Sequence, residues 1–157
     1  MENIVIPPAL AALEFGLEAA RRHRAELRES ISALEQALAA PAPGRGDAWC
    51  ERVHVALVEL SADMREHIDI TVGADGLYSG VLASTPRLSH AAAQLSGEHG
   101  EMIRSLEDLL HYVEAPAAGV DRVRQLGTVL LGRLVRHRQR EADLVYEAYQ
   151  TDIGGQD

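Results

Sequence analysis

Cysteine is nearly absent from this sequence. Cys50 is the only one in 157 residues, so no disulfide can close within the chain, and a reducing compartment is expected. Long apolar runs are missing as well, since no stretch approaches the roughly 18 uncharged apolar residues of a membrane span. Residues Met1 to Pro8 have neither a basic start nor an apolar core, so no secretory leader is expected, and the cytoplasm is the expected location. Aromatics make up only 4% of the chain, and with few β-branched residues beside them an all-β domain is excluded. Acidic residues outnumber basic ones, for a formal net charge of −9. Such a chain repels phosphate backbones and anionic lipid surfaces, which argues against nucleic-acid and membrane partners. There is no P-loop, no dinucleotide fingerprint and no nucleophile–base–acid triad.

What is present is Ala, Leu and Val, the bulk of a 46% hydrophobic content. Ala and Leu lose little on entering a helix. Proline and glycine then divide the chain into four long segments, predicted as helices over 8–40, 47–72, 86–114 and 119–149. Pro7-Pro8 opens the first. Pro41, Pro43, Gly44 and Gly46 lie before the second. A stretch of about fourteen residues from Gly73 to Pro86, long enough for a helical turn of its own, lies before the third. Pro116 and Gly119 lie before the fourth, and Gly154-Gly155 marks its end.

Apolar residues recur within these segments at steps of three and four. The first runs Leu10, Leu13, Leu17, Ala20, Leu27, Ile31, Leu34, Leu38. The second runs Val53, Leu57, Leu60, Met64. The third runs Leu88, Ala92, Leu95, Met102, Leu106, Leu109, Val113. The fourth runs Val123, Gly127, Leu130, Leu134, Leu144, Ala148. These are the seams of amphipathic helices, and four of them predict one all-α domain, an up-down-up-down antiparallel four-helix bundle spanning 1–157.

Each seam is interrupted by a histidine. His23 fills the gap between Ala20 and Leu27, His67 follows Met64, His99 lies between Leu95 and Met102, and His137 follows Leu134, with Glu141 one turn further on. The remaining histidines, His54, His90 and His111, lie off the core stripe and are expected at the surface or its boundary. At a rise of about 1.5 Å per residue, His99 and His137 stand within about one turn of the same level, as do His23 and His67. The four rings are therefore expected to meet in one layer. Buried imidazoles cost a few kcal/mol unless their nitrogens are paired, and a shared metal pairs them all. A donor set of imidazole and carboxylate without thiolate suits iron, manganese, zinc or cobalt.

The wording around these residues resembles the hemerythrin-like (HHE cation-binding) family over roughly residues 15–150. The similar stretches are Arg-Arg-His23-Arg-Ala-Glu-Leu, Arg65-Glu66-His67 followed by Gly76-Leu77-Tyr78, Glu98-His99, and His137-Arg-Gln-Arg-Glu141 followed by Ala-Asp-Leu-Val-Tyr146. The resemblance implies His23, His67, His99, His137 and Glu141 as ligands of a non-haem di-iron centre. It implies a small diatomic ligand or peroxide as partner: oxygen binding, oxygen or nitric-oxide sensing, iron handling or peroxide chemistry.

The sequence departs from the family at Thr71, where a glutamate is usual four residues after the second helix's histidine. No second histidine flanks His99 either, since those positions are Leu95 and Ile103. Asp75 is the candidate to complete a di-iron site, with Asp69 and Glu101 behind it. The alternatives are a mononuclear iron or other divalent metal, an oxygen-dependent oxidase of a small organic substrate, and a metal-free helical module that homodimerises. For the oxidase, Ala91–Ala93, Gly97, Gly100, Gly127 and Gly132 are the residues small enough to leave a substrate cavity. Tyr78 and Tyr112 are candidates to hydrogen-bond near the site, while Tyr146 and Tyr149 are expected to pack at the bundle's end and Trp49 in the core.

Overall fold

The structure is a computed structural model that describes the backbone of residues 5–154 and the side chains of residues 5–150. Gly155, expected to help end the last helix, and the first half of the segment read for a leader lie outside the described residues.

Helix α1 spans Pro8–Ala39 and begins on a proline, whose missing N–H would be unpaired in a first turn in any case. It stops at Ala40, because the residue before Pro41 is driven to extended backbone, here φ −63° and ψ 149°. Helix α2 spans Asp47–Val72 and starts after Gly46, which takes the left-handed conformation at φ 78°. A Cβ on Gly46 would also stand 2.6 Å from Val120 Cγ2, so both backbone and packing require glycine there.

The long second connection holds more structure than a single turn. Helix α3 covers Leu77–Ser84, and a 3-10 turn, Pro86–Leu88, leads into α4, Ser89–Glu114. The predicted start at 86 is thus the 3-10 turn rather than the α-helix itself. Helix α5 covers Val120–Gly154 and runs past the predicted end at 149. No strand occurs among the described residues, and none of their helices is long and apolar enough to cross a membrane.

The four long helices form a closed ring of neighbours: α1 on α2, α2 on α4, α4 on α5, and α5 on α1. Helix α3 lies mainly against α1. Glycine makes that contact close. A Cβ on Gly80 would stand 2.6 Å from the Ala12 carbonyl oxygen, and one on Gly16 would stand 2.6 Å from that of Gly76. Gly80 is therefore a packing residue inside a helix, not a breaker.

Every seam residue named from the sequence is buried except Leu10, which is half-buried on the first turn of α1. The buried apolar residues fall into two clusters. One gathers Leu27–Leu38 of α1 with the residues of α2 up to Met64, of α4 from Met102 and of α5 up to Leu134. The other gathers Leu13, Leu17 and Ala20 of α1 with α3, the start of α4 and Leu144 and Ala148 of α5. His23, His67, His99 and His137 lie in the gaps where each long helix passes from one cluster to the other. Trp49 is fully buried in the first cluster, as expected, with the Arg124 guanidinium 5.2 Å from its ring centroid. Tyr149 packs half-buried on the second cluster, whereas Tyr146 departs from expectation and is 64% exposed. Its position on α5 faces away from the ring of neighbours.

Candidate metal centre

Three of the four seam histidines converge. His67 from α2, His99 from α4, and His137 and Glu141 from α5 are all buried, and each offers a donor atom within 4.8 Å of the others. Nε2 of His99 lies 3.1 Å from Nε2 of His137. Oε2 of Glu141 lies 3.3 Å from Nε2 of His67 and 3.5 Å from Nε2 of His137. His137 and Glu141 share one face because four residues bring a helix round by about one turn.

These spacings are informative. Donors about 2.1 Å from one ion, at angles between square and tetrahedral, stand about 3.0–3.4 Å apart. The separations of 3.1 and 3.3 Å fall in that range, that of 3.5 Å lies just beyond it, and all the donors stay within 4.8 Å of one another. Nε2 of His67 is buried with no hydrogen-bond partner among the described residues, and so is Nδ1 of His99. A native interior seldom leaves such atoms unpaired, since each costs roughly 1–3 kcal/mol. A cation at the centre would pair the His67 nitrogen, so the donors present fit a metal ion.

The surroundings orient the donors. Nδ1 of His137 donates to Glu98 Oε2 at 2.8 Å, which turns Nε2 and its lone pair towards the centre. Glu98 is held in turn by Arg140 Nη1, 2.6 Å from its Oε1. The Tyr78 hydroxyl donates to Glu141 Oε2 at 2.7 Å and lies 3.4 Å from His99 Nε2. The close α1–α3 contact at Gly80 is what brings Tyr78 inward.

Charge at the site follows from these contacts. Burial, then the charges of His137 and His67, lower the His99 pKa to about 4, so this ring is neutral at ordinary pH. Burial also opposes charge on His137, but its hydrogen bonds to Glu141 and Glu98 outweigh that and raise its pKa. Burial would raise the Glu141 carboxyl, yet the adjacent His137 and His67 rings and the hydrogen bond from Tyr78 hold it well below the usual carboxylate range. Burial and the Glu141 charge push the Tyr78 hydroxyl far up, so it stays a donor.

Two expected contributors are not brought to this group. His23 is buried and at the expected depth, but it faces α2 rather than the interior. Its Nε2–H donates to the Asp63 carbonyl at 2.9 Å, and Nδ1 lies 3.1 Å from Glu26 Oε2 and 3.7 Å from Glu66 Oε2. It belongs to a second group, His23, Glu26, Asp63 and Glu66, at the α1–α2 boundary. The expectation of one layer of four rings is therefore corrected to a layer of three: level along a helix does not fix which neighbour a seam residue faces. Asp75 is exposed in the turn after α2, because the helix stops at Val72 and cannot carry it back to the site. Asp69 and Glu101 are exposed too. Thr71 is fully buried, and its hydroxyl donates to the His67 carbonyl at 2.8 Å, so it binds its own helix instead of a ligand.

His90 and His111 are exposed, and His54 is half-buried beside Glu114 at 3.0 Å, in keeping with their off-stripe positions. Of the small residues expected to make room, Ala91 and Gly132 line clefts elsewhere on the bundle, neither of them lined by His67, His99, His137 or Glu141. Gly97 and Gly100 are exposed, and Gly127 packs on Leu38. A cleft of about 310 Å³ does open beside the site, between α1 and α5, with His67 and Glu141 in its lining.

Glu98 was missed in the sequence as a partner of His137. It lies just before His99, off the apolar stripe, and no periodicity marks a residue that reaches across to another helix. No family model matches the chain, and no curated protein or solved structure matches it either.

Proposed function

We propose that this protein is a metal-binding, up-down-up-down four-helix bundle of hemerythrin-like character, which holds one iron ion on His67, His99, His137 and Glu141 and binds or senses a small diatomic molecule or peroxide. The observation that carries this reading is the set of donor–donor distances of 3.1, 3.3 and 3.5 Å, with His67 Nε2 buried and unpaired among them. Iron is favoured over zinc by the resemblance in ligand order. Four donors, without His23 or Asp75, suit one ion better than the two expected from that resemblance. Bound iron would supply redox chemistry and a coordination position open to a small ligand.

The chain's own residues then have distinct tasks. Glu98 holds the His137 tautomer, and His99 stays neutral and available as a ligand. Tyr78 keeps a proton on a hydroxyl facing Glu141, poised to donate to an acceptor bound nearby. The two apolar clusters on either side keep water from the rings.

Metal analysis of protein purified without a histidine tag tests the reading. About one iron per chain is expected, falling sharply in His99→Ala and His137→Ala and unchanged in His54→Ala, His90→Ala, His111→Ala and His23→Ala. Two irons per chain with oxo-bridged absorption bands would replace the single-ion reading by a di-iron one. No metal in the wild-type chain would end both.

A further inference from the structure

All fifteen basic residues of this chain are arginines. Most of those that make contacts have a clear partner: Arg65 meets Glu107, Arg140 meets Glu98, and Arg124 caps the carbonyls of Leu38 and Ala40. Among the arginines without such a partner, Arg24 and Arg28 of α1 and Arg138 of α5 are set apart by their position. All three line the cleft that opens onto His67 and Glu141, and none makes a hydrogen bond or ion pair among the described residues.

Their grouping is unfavourable on its own terms. Arg24 and Arg28 stand one turn apart on one helix face, where like charges destabilise. Arg138 is half-buried and lines the same cleft, which brings a third guanidinium to it. In a chain with net charge −9, acidic partners are plentiful, yet this cleft is left cationic. Deeper in, the lining turns apolar, with Ala20, Leu27, Leu77 and Val145 beside the two metal-site residues. The volume of about 310 Å³ lies at the lower end of small-molecule sites.

The geometry points to this cleft as a binding site for a small organic carboxylate, its anionic end held by Arg24, Arg28 and Arg138 and its apolar body directed past Leu27 and Leu77 towards the metal centre. The guanidinium fork matches a carboxylate in two parallel hydrogen bonds, which lysine does not reproduce. The inference deepens the proposed function and rests on it for the reason the cleft ends at His67 and Glu141.

Benzoate is a suitable probe, with neutral benzamide as its isostere. Calorimetric titration of the full-length, metal-loaded protein is expected to show one benzoate per chain and benzamide weaker by about tenfold or more. Arg138→Ala is expected to weaken benzoate by about tenfold, Arg138→Lys to restore it only in part, and Arg104→Ala, outside the cleft, to leave it unchanged. Metal content, measured on the same samples, stays at the wild-type level in all three variants, because arginines are not ligands. Equal binding of benzamide, indifference to Arg138→Ala, or no benzoate binding by metal-loaded protein overturns the inference and leaves the metal reading standing. Arginine-dependent benzoate binding by a chain that takes up no metal supports the cleft and refutes the metal reading instead.

Discussion

Among the described residues, two groups bring buried histidine together with carboxylates, and they differ in almost everything but composition. Around His23, the ring is buried but its acidic neighbours Glu26 and Glu66 are 63% and 59% exposed. Its Nε2–H is already spent on the Asp63 carbonyl, and Asp63 is held by the Ser30 hydroxyl. Around His67, His99 and His137, one buried carboxylate lies among three rings, each ring turns a nitrogen towards the others, and two ring nitrogens have no partner among the described residues. A satisfied group tied to backbone fastens two helices. A group of converging, under-satisfied donors between two apolar clusters could hold a metal ion. The difference lies in hydrogen-bond satisfaction and solvent, not in residue type.

Removing donors should break the symmetry most strongly. His99→Ala or Glu141→Ala is expected to abolish stable metal binding, while His23→Ala retains it, as read by elemental analysis of untagged protein. Chelation gives the next largest effect. With metal at about a hundred times its Kd, binding adds about 2.7 kcal/mol, so its removal should lower Tm by about 5–10 °C. His23→Ala at the α1–α2 boundary should leave that difference unchanged.

Glu98→Ala sharpens the account of orientation. Loss of the His137 Nδ1 partner is expected to weaken metal affinity by about 10–100-fold without removing a donor, measured by competition with a chelator. Tyr78→Phe takes a buried hydrogen bond from Glu141 and should cost about 1.5–3 kcal/mol in denaturant melts of the metal-free protein.

Acid gives a smaller, diagnostic effect. The His99 pKa is lowered to about 4, so its neutral form is favoured in the folded protein. The stability this contributes is whole above the ordinary histidine pKa, about 6.5, and is lost as pH falls through about 4. Glu141, held low, acts in the same sense at still lower pH. His137, held high, acts oppositely: its contribution is present in acid and fades as pH rises past its raised pKa. The Tm of the metal-free protein should therefore fall on acidification below about pH 6.5, and His99→Leu should flatten that fall.

Much of this was legible in the sequence. A period of three to four with proline and glycine between segments fixes long helices, because the apolar stripe must be buried. The seam residues from Leu13 to Ala148 are buried accordingly. Interruption of those stripes by His67, His99, His137 and Glu141 marked the site for the same reason. Contacts set by angle or by a third element were not legible. His23 lies at the right depth but on the flank facing α2. Tyr78 is brought inward by α3, whose packing depends on the space left at Gly16 and Gly80. Glu98 reaches His137 across the α4–α5 contact. Asp75 failed as a candidate because α2 ends three residues before it.

X-ray absorption at the metal edge of untagged protein examines the convergence itself. The expected spectrum has scattering from three imidazoles and an oxygen donor at about 2.0–2.2 Å around a single ion. A metal bound by one imidazole or none, or by sulfur, would contradict the convergence of His67, His99 and His137 on one cation.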